Sequence, residues 1–321
     1  MDSASRIWLA FIAFFIDWRI MTIYVLNFKE PRMFQLLTDS ACDLPYQTLQ
    51  TAGVDFVSMH VDVDGVDHID DLGETFKLDQ LYAQIGQGVM PTTAQVNVGQ
   101  FVDFFTPYVE AKTPILYLGF SSGLSGTFSS AEQAKQIILE DHPDAKIRLV
   151  DSLAAANGEG LMVLDAIDQQ QAGRSLDEIA DWLEANRLRY RQWFTVDDLN
   201  YLYHGGRVSR TSATLGTLLN IKPVMDVDTE GHLRVVKKAR SRQRSLHALA
   251  DETIAAITHD PSHRVLIATA DAPDAAVVVQ DRIHAQFPDT PITIGHIGAA
   301  IASHTGLGCV AVFSLDEKAR E

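Results

Sequence analysis

Cysteine is nearly absent from this chain. Its 321 residues include two, Cys42 and Cys309, far apart and in no CxxC or metal-type spacing. A disulfide framework and a zinc site are therefore excluded as organising principles, and a reducing cytoplasm is the expected setting. Positive charge is also scarce. Lys and Arg number 26 against 42 Asp and Glu, a formal net charge of −16, which argues against a nucleic-acid partner held through clustered cations. No internal repeat, low-complexity tract or long linker breaks the chain. What remains is 46% hydrophobic and 21% charged, enough for a sizeable core in one or two domains.

The N-terminus carries the longest apolar run, IWLAFIAFFIDWRIMTIYVLNF (residues 7–28). Asp17 and Arg19 interrupt it, and an ionised group at a bilayer centre costs about 2.5–3.5 kcal/mol on insertion scales. Ile7 to Ile16 has the length of a signal core but lacks an A-x-A-like cleavage site. A convincing first strand and turn, MFQLLTDSACDLP, starts only at Met33. Residues 1–32 thus read as an extension outside the fold, with no stable membrane insertion expected.

From Met33 the pattern is strand, Gly/Ser loop, helix, repeated. FQLL precedes the turn cluster TDSACDLP; VDFVSMHVDV is strand-like, and TFKLDQLYAQIGQG and QFVDFFTPYVEA are helix-like. PILYLGF leads through SSGLSGT into a helix, and KIRLVDS through AAANGEG into LMVLDAIDQQQAG. This is the signature of a mostly parallel α/β sheet, whose ligands bind at the carboxyl ends of strands. After a boundary near Gly173 the pattern changes. NIKPVMDVDTEGHLRVVKKA reads as a β-hairpin around Glu-Gly, followed by RSRQRSLHALADETIAAITH as helix and RVLIATA, PITIGHIG and CVAVFSL as strands. Residues 33–173 are expected to form an α/β domain and residues 174–321 an α+β domain.

Hydroxyls concentrate in FSSGLSGTFSSA, at the end of one apolar strand and the start of a helix. Free backbone N–H groups converge at such a helix start and favour anions. Capping explains one hydroxyl, but not Ser121, Ser122, Ser125 and Thr127 together with two glycines. A nucleophile elbow needs Gly-x-Ser-x-Gly, and Gly123-Leu-Ser125-Gly126-Thr127 puts the second glycine one place early. No Gly-Lys-Ser/Thr makes it a P-loop, and no G-x-G-x-x-G follows the first strand. PTTAQ (residues 91–95) reads, alone, as an ordinary turn with a helix cap. HTGLG holds a single histidine, His304, among glycines that permit close approach. HGGRVSRTS offers two glycines and two arginines ahead of the helix-like TLGTLL. The cations Lys237, Lys238, Arg240, Arg242 and Arg244 read equally as a solvated helix start or a docking surface for an anionic partner.

Together, LLTDSACDLP, PTTAQVNVGQF, SSGLSGTFSSA, VDSLAAANGEG, VDDLNYLYHGGRVSRTSATLGTLLNIKPVM, KKARSRQRSL and HIGAAIASHTGLG resemble the DegV family, in family order from about Phe34 to Ser314. The resemblance implies a two-domain DegV-like fold: an α/β domain with a mostly parallel sheet, then a smaller α+β domain, with a long-chain fatty acid between and within them. It implies no catalysis and no cofactor of the protein's own. Its partner would be a separate ATP-dependent fatty-acid kinase, to which the fatty acid is presented for acyl-phosphate formation. By residue, the resemblance places Thr93, Ser122 and His304 on the fatty-acid carboxylate and Arg207 on an exposed, kinase-facing side. One departure is visible. The family's TSQPS reads TAQVN here, with Ala94 for a serine and Val96 for a proline, which removes a supporting hydroxyl and some rigidity.

The chemistry is consistent with such a ligand. Each buried methylene contributes about 0.8 kcal/mol, so a long acyl chain supplies about 10 kcal/mol before ordering costs. A carboxylate taken out of water needs several hydrogen bonds or it protonates. The competing readings are a serine hydrolase acting on acyl esters and a phosphate- or nucleotide-binding protein.

Overall fold

The computed structural model describes residues 33–208 and 221–321. The apolar segment 7–28 and the TLGTLL stretch lie outside the described residues. Phe34 to Glu321 forms one compact unit, with the two-part α/β architecture that the sequence pattern implies.

The first part alternates strand and helix. β1 (Gln35–Asp39) runs through a single 3-10 turn into α1 (Tyr46–Ala52), then β2 (Asp55–Val57), β3 (His60–Val63) and β4 (Val66–Ile69). Next come α2 (Leu78–Gly86), β5 (Thr92–Ala94), α3 (Val98–Glu110), β6 (Ile115–Gly119), α4 (Thr127–Asp141), β7 (Ile147–Asp151) and α5 (Asn157–Gln171). β2, β1, β6 and β7 form, in that order, a wholly parallel sheet. Its two central strands, β1 and β6, are buried on both faces, as parallel strands covered by helices must be. α3 and α4 pack Phe101, Phe105 and Phe128 around Tyr117 on one face.

Two segments depart from the sequence pattern. VDFVSMHVDV is not one strand: it breaks at Ser58-Met59, and β2 joins the parallel sheet while β3 joins a separate antiparallel sheet ordered β4-β3-β5. Thr92–Ala94, read as a turn, is the edge strand β5 of that small sheet. The cap of the following helix is Asn97, in a reciprocal capping box with Gln100.

The second part is a six-stranded mixed sheet. α6 (Leu176–Asn186), capped by a Ser175–Glu178 box, leads to β8 (Tyr190–Thr195) and α7 (Asn200–His204). β9 (Lys222–Val227) and β10 (Leu233–Ala239) form the expected hairpin. α8 (Arg242–Ile257), β11 (Val265–Thr269), α9 (Pro273–His284), β12 (Ile292–His296), α10 (Ala299–Thr305) and β13 (Val310–Leu315) follow. The strand order is β10-β9-β8-β13-β11-β12, with β11–β12 parallel and the other pairs antiparallel. All strands of the parallel sheet precede Gly173 and all strands of the mixed sheet follow it.

α5 sits between the two sheets, against β6 on one side and β8, β11 and β13 on the other. Its residues Asn157 to Val163 are all buried, as a helix enclosed on every face requires. Two sequence motifs interlock at its start. Asn157 donates to the carbonyls of Cys42 and Asp43, and the Thr38 hydroxyl donates to Glu159 at 2.8 Å. The DSACD turn and the ANGEG helix start thus fix one another, and through them the sheets.

Candidate functional site

The SSGLSGT loop is anchored from below by a buried carboxylate. Asp39, at the end of β1, accepts from the Tyr117 hydroxyl at 2.7 Å, the Phe120 amide at 2.9 Å and the Ala41 amide at 3.0 Å. Burial pushes its pKa up, and those three donors hold it down.

Each hydroxyl above has a distinct place. Ser121 is buried and donates to the Gly231 carbonyl at the tip of the β9–β10 hairpin. Gly231 has φ of 82°, and a Cβ there would collide with the Ser121 oxygen, so glycine is required for this approach. Thr127 is buried and accepts from the Val96 amide at 3.3 Å, joining the loop to the segment after β5. Ser125 shares a 2.9 Å hydrogen bond with Thr127 and faces a cavity. Ser122, expected at the head group, does not line that cavity. Its side chain is exposed, and its backbone amide turns outward to Asp151 at 3.2 Å.

The cavity lies between the two parts of the fold. Phe120, Leu124 and Ala155 wall it from the first part; Phe194, Leu233, Ala311 and Phe313 wall it from the mixed sheet. Its walls are mostly aliphatic and aromatic, so it is an apolar slot suited to a flexible hydrocarbon chain. Its polar lining includes Thr93, Ser125, Arg207 and His304. A second, wider cleft at the start of α10 is lined by Asp43, Asp70 and His296. The Asp43 oxygens are sealed within the protein, so that cleft does not offer them to a ligand.

Thr93 and His304 form the polar centre of the slot. β5 pairs Thr93 with Val61 of β3, and α10 carries His304 in its last turn. The two side chains meet at 2.7 Å between Thr93 Oγ1 and His304 Nε2. Burial pulls the His304 pKa down to about 4, with the Arg207 and His204 charges adding to the effect. The imidazole is therefore neutral at pH 7. Its Nδ1 packs on Gly205, where a Cβ would overlap it, and has no hydrogen-bond partner among the described residues. An orphaned N–H is the costlier loss there, which favours the proton on Nε2, donated to Thr93. The Thr93 hydroxyl proton is then free to face the slot.

Arg207 is not on the outer surface. It is partly buried, lines the slot, and donates to the Leu124 carbonyl at 3.3 Å and to the Gly205 carbonyl. A positive charge thus stands beside the neutral donors. Among the basic residues further on, Lys237 pairs with Glu252 and Arg242 donates to the Gly308 carbonyl, while Arg240 and Arg244 are exposed.

The serine-hydrolase reading finds no geometry here. The cavity imidazole bonds a threonine, and Ser125 bonds Thr127. Among the described residues no group of His, Cys, Asp and Glu could hold a metal ion, and Cys42 and Cys309 are free and buried. None of the described helices is long and apolar enough to cross a membrane.

An α/β protein of two main sheets and a small third one, with an apolar slot closed by hydroxyl, imidazole and guanidinium groups, is the class that these features define. Residues 33–317 match the family model described as an uncharacterised protein, DegV family. A DegV domain-containing protein of Clostridium perfringens is 38% identical over 286 residues, covering 89% of this chain and 98% of that one. The chain belongs to the DegV family. Among solved structures, a DegV family protein from Thermus thermophilus, described for its fatty acid binding, is 30% identical with a TM-score of 0.78. That match covers 88% of this chain and 99% of that one. The Streptococcus pneumoniae Fatty Acid Kinase (Fak) B3 protein loaded with linoleic acid shares the fold, at 24% identity, a TM-score of 0.76 and coverage of 88% and 99%.

Proposed function

We propose that this protein binds a long-chain fatty acid, its acyl chain in the apolar slot and its carboxylate at Thr93 and Ser125, with His304 behind Thr93 orienting its hydroxyl. It has no catalysis of its own and presents the carboxylate to a separate ATP-dependent kinase, which forms the acyl phosphate. The observation that carries the reading is the Thr93–His304 pair in a slot otherwise walled by aliphatic and aromatic side chains. The fatty-acid-binding relative from Thermus thermophilus supports the ligand class, and the kinase-linked Streptococcus pneumoniae protein suggests the partner.

The division of labour follows from the chemistry. The slot supplies affinity, at about 0.8 kcal/mol per buried methylene. The Thr93 and Ser125 hydroxyls replace the water lost by the carboxylate, and Arg207 sets a favourable field for an anion. Hydroxyl donors occupy some carboxylate lone pairs and leave others to attack a terminal phosphate. Arg207, at the same end, is placed to meet the charge that develops on the transferring phosphoryl group.

Organic extraction of the purified protein followed by mass spectrometry tests the reading. A bound long-chain fatty acid is expected, together with a melting temperature that rises when fatty acid is added to stripped protein. Absence of both would overturn it.

A further inference from the structure

The head-group site is assembled from two separate elements, a strand that carries Thr93 and a helix that carries His304. Nothing in the Thr93–His304 bond itself determines where those elements sit. Asp70 spans them. It directly follows β4, whose strand partner β3 also pairs with β5, so Asp70 emerges from the end of the three-stranded sheet that holds Thr93. Its backbone amide donates to the Met59 carbonyl at 2.9 Å, and the Met59 amide is held in turn by Ser40 at 3.0 Å. Its side chain leaves the sheet: Oδ2 accepts from the Ala300 amide of α10 at 3.2 Å, and Oδ1 accepts from Leu72 at 3.4 Å. Asp70 is 3% exposed.

The receiving end is rigid and short. Ala300 and His304 are four residues apart on α10, one turn and about 6 Å of rise, so they share a face of the helix. Both line the slot. The first-turn amide of Ala300 has no partner within the helix, which is why a carboxylate from outside is the natural acceptor. Asp43 braces the same helix start, its Oδ1 pressed against Gly298, where a Cβ would overlap the oxygen.

We infer that Asp70 is a positioning residue of the head-group site: its bond to the Ala300 amide ties the sheet of Thr93 to the helix of His304 and fixes their separation. A buried carboxylate suits the task because its acceptor bonds are shielded from competing water.

The inference rests on the fatty-acid reading only for its affinity readout. Asp70→Ala, Asp70→Asn and Gly298→Ala are compared with the parent by ¹⁵N NMR of the His304 imidazole in stripped protein and by fatty-acid titration. Asp70→Ala is expected to move the His304 ring signals, raise its pKa towards the solution value and weaken fatty-acid binding at least tenfold. Asp70→Asn keeps an acceptor oxygen for Ala300 and is expected to restore both to within about threefold. A folded Asp70→Ala protein with unmoved His304 signals and unchanged affinity would overturn the assignment, as would an Asp70→Asn protein equally impaired. If Asp70→Ala fails to fold, Gly298→Ala decides: it leaves Asp70 in place and displaces the helix start, and unmoved His304 signals there also overturn the inference. A parent that binds no fatty acid would sink the proposed function, while the ligand-free imidazole signals still decide the role of Asp70.

Discussion

Thr93 and His304, 211 residues apart in sequence, share a 2.7 Å hydrogen bond whose imidazole is held neutral by burial. The threonine hydroxyl is thereby turned into a directed donor. Replacing Thr93 by valine keeps the shape and removes the donor. Hydrogen bonds to charged groups contribute about 1.5–3 kcal/mol, so fatty-acid affinity should fall about 10- to 100-fold by titration calorimetry, and stability by about 1–3 kcal/mol because the imidazole N–H loses its acceptor.

Ser125 and Ser122 are separated by function as well as by position. Ser125→Ala should weaken fatty-acid binding about tenfold, because Ser125 lines the slot. Ser122→Ala should leave it within about twofold, because that side chain is exposed. Fluorescence displacement of a lipid probe by both variants reads the difference.

Gly205 lies against His304 Nδ1 with no room for a Cβ. Gly205→Ala should push the imidazole off Thr93 and weaken fatty-acid binding at least tenfold, and should lower the melting temperature because the added methyl overpacks the buried ring. Titration calorimetry and a thermal melt on one sample check both halves.

Ala311 of β13 pairs with Phe194 of β8, and both line the slot. Ala311 belongs to the core as well as to the slot lining, so Ala311→Leu should fold at a cost of about 1–3 kcal/mol, with its added atoms directed into the slot. The bound-lipid profile by mass spectrometry should shift to shorter acyl chains.

Two buried groups oppose each other in acid. Asp70 has its pKa raised from 3.8 to about 6 by burial, so the folded protein holds a proton that the unfolded chain releases. That contribution stabilises the fold as pH falls from about 6 towards 4 and is lost as pH rises through the same window. His304 is lowered from 6.5 to about 4, so the unfolded chain takes up a proton that the folded one refuses. Its contribution is present above 6.5 and lost as pH falls. Melting curves between pH 4 and 7 should therefore tilt in opposite senses: His304→Gln gains more stability on acidification than the parent, and Asp70→Asn less.

The alternation of apolar runs and Gly/Ser loops made the parallel sheet and the β9–β10 hairpin legible, because burial on both faces and a Glu-Gly turn are local properties. The break at Ser58-Met59 was not legible, since FVSMHV is uniformly strand-forming and only tertiary pairing divides it. Within the site, PTTAQ alone reads as a turn and His304 as one histidine among glycines; only the family resemblance singles out Thr93 and His304. Ser125 could not be told from Ser122, because loop direction depends on Ser121 reaching Gly231 in the other half of the chain. Asp70 carried no local signal at all. Its significance comes from one bond to an amide 230 residues away.

β5 is three residues long and lies at the edge of its sheet, bonded to β3 alone. The element that presents Thr93 is thus the least secured strand of the cavity wall, and its amides should exchange with solvent faster than those of β6 or β13. A carboxylate bridging Thr93 and the SSGLSGT loop would tie this strand down from its unpaired side. Occupancy of the slot would then be written in the deuterium uptake of residues 92–94, a clock that runs slower when the protein is loaded.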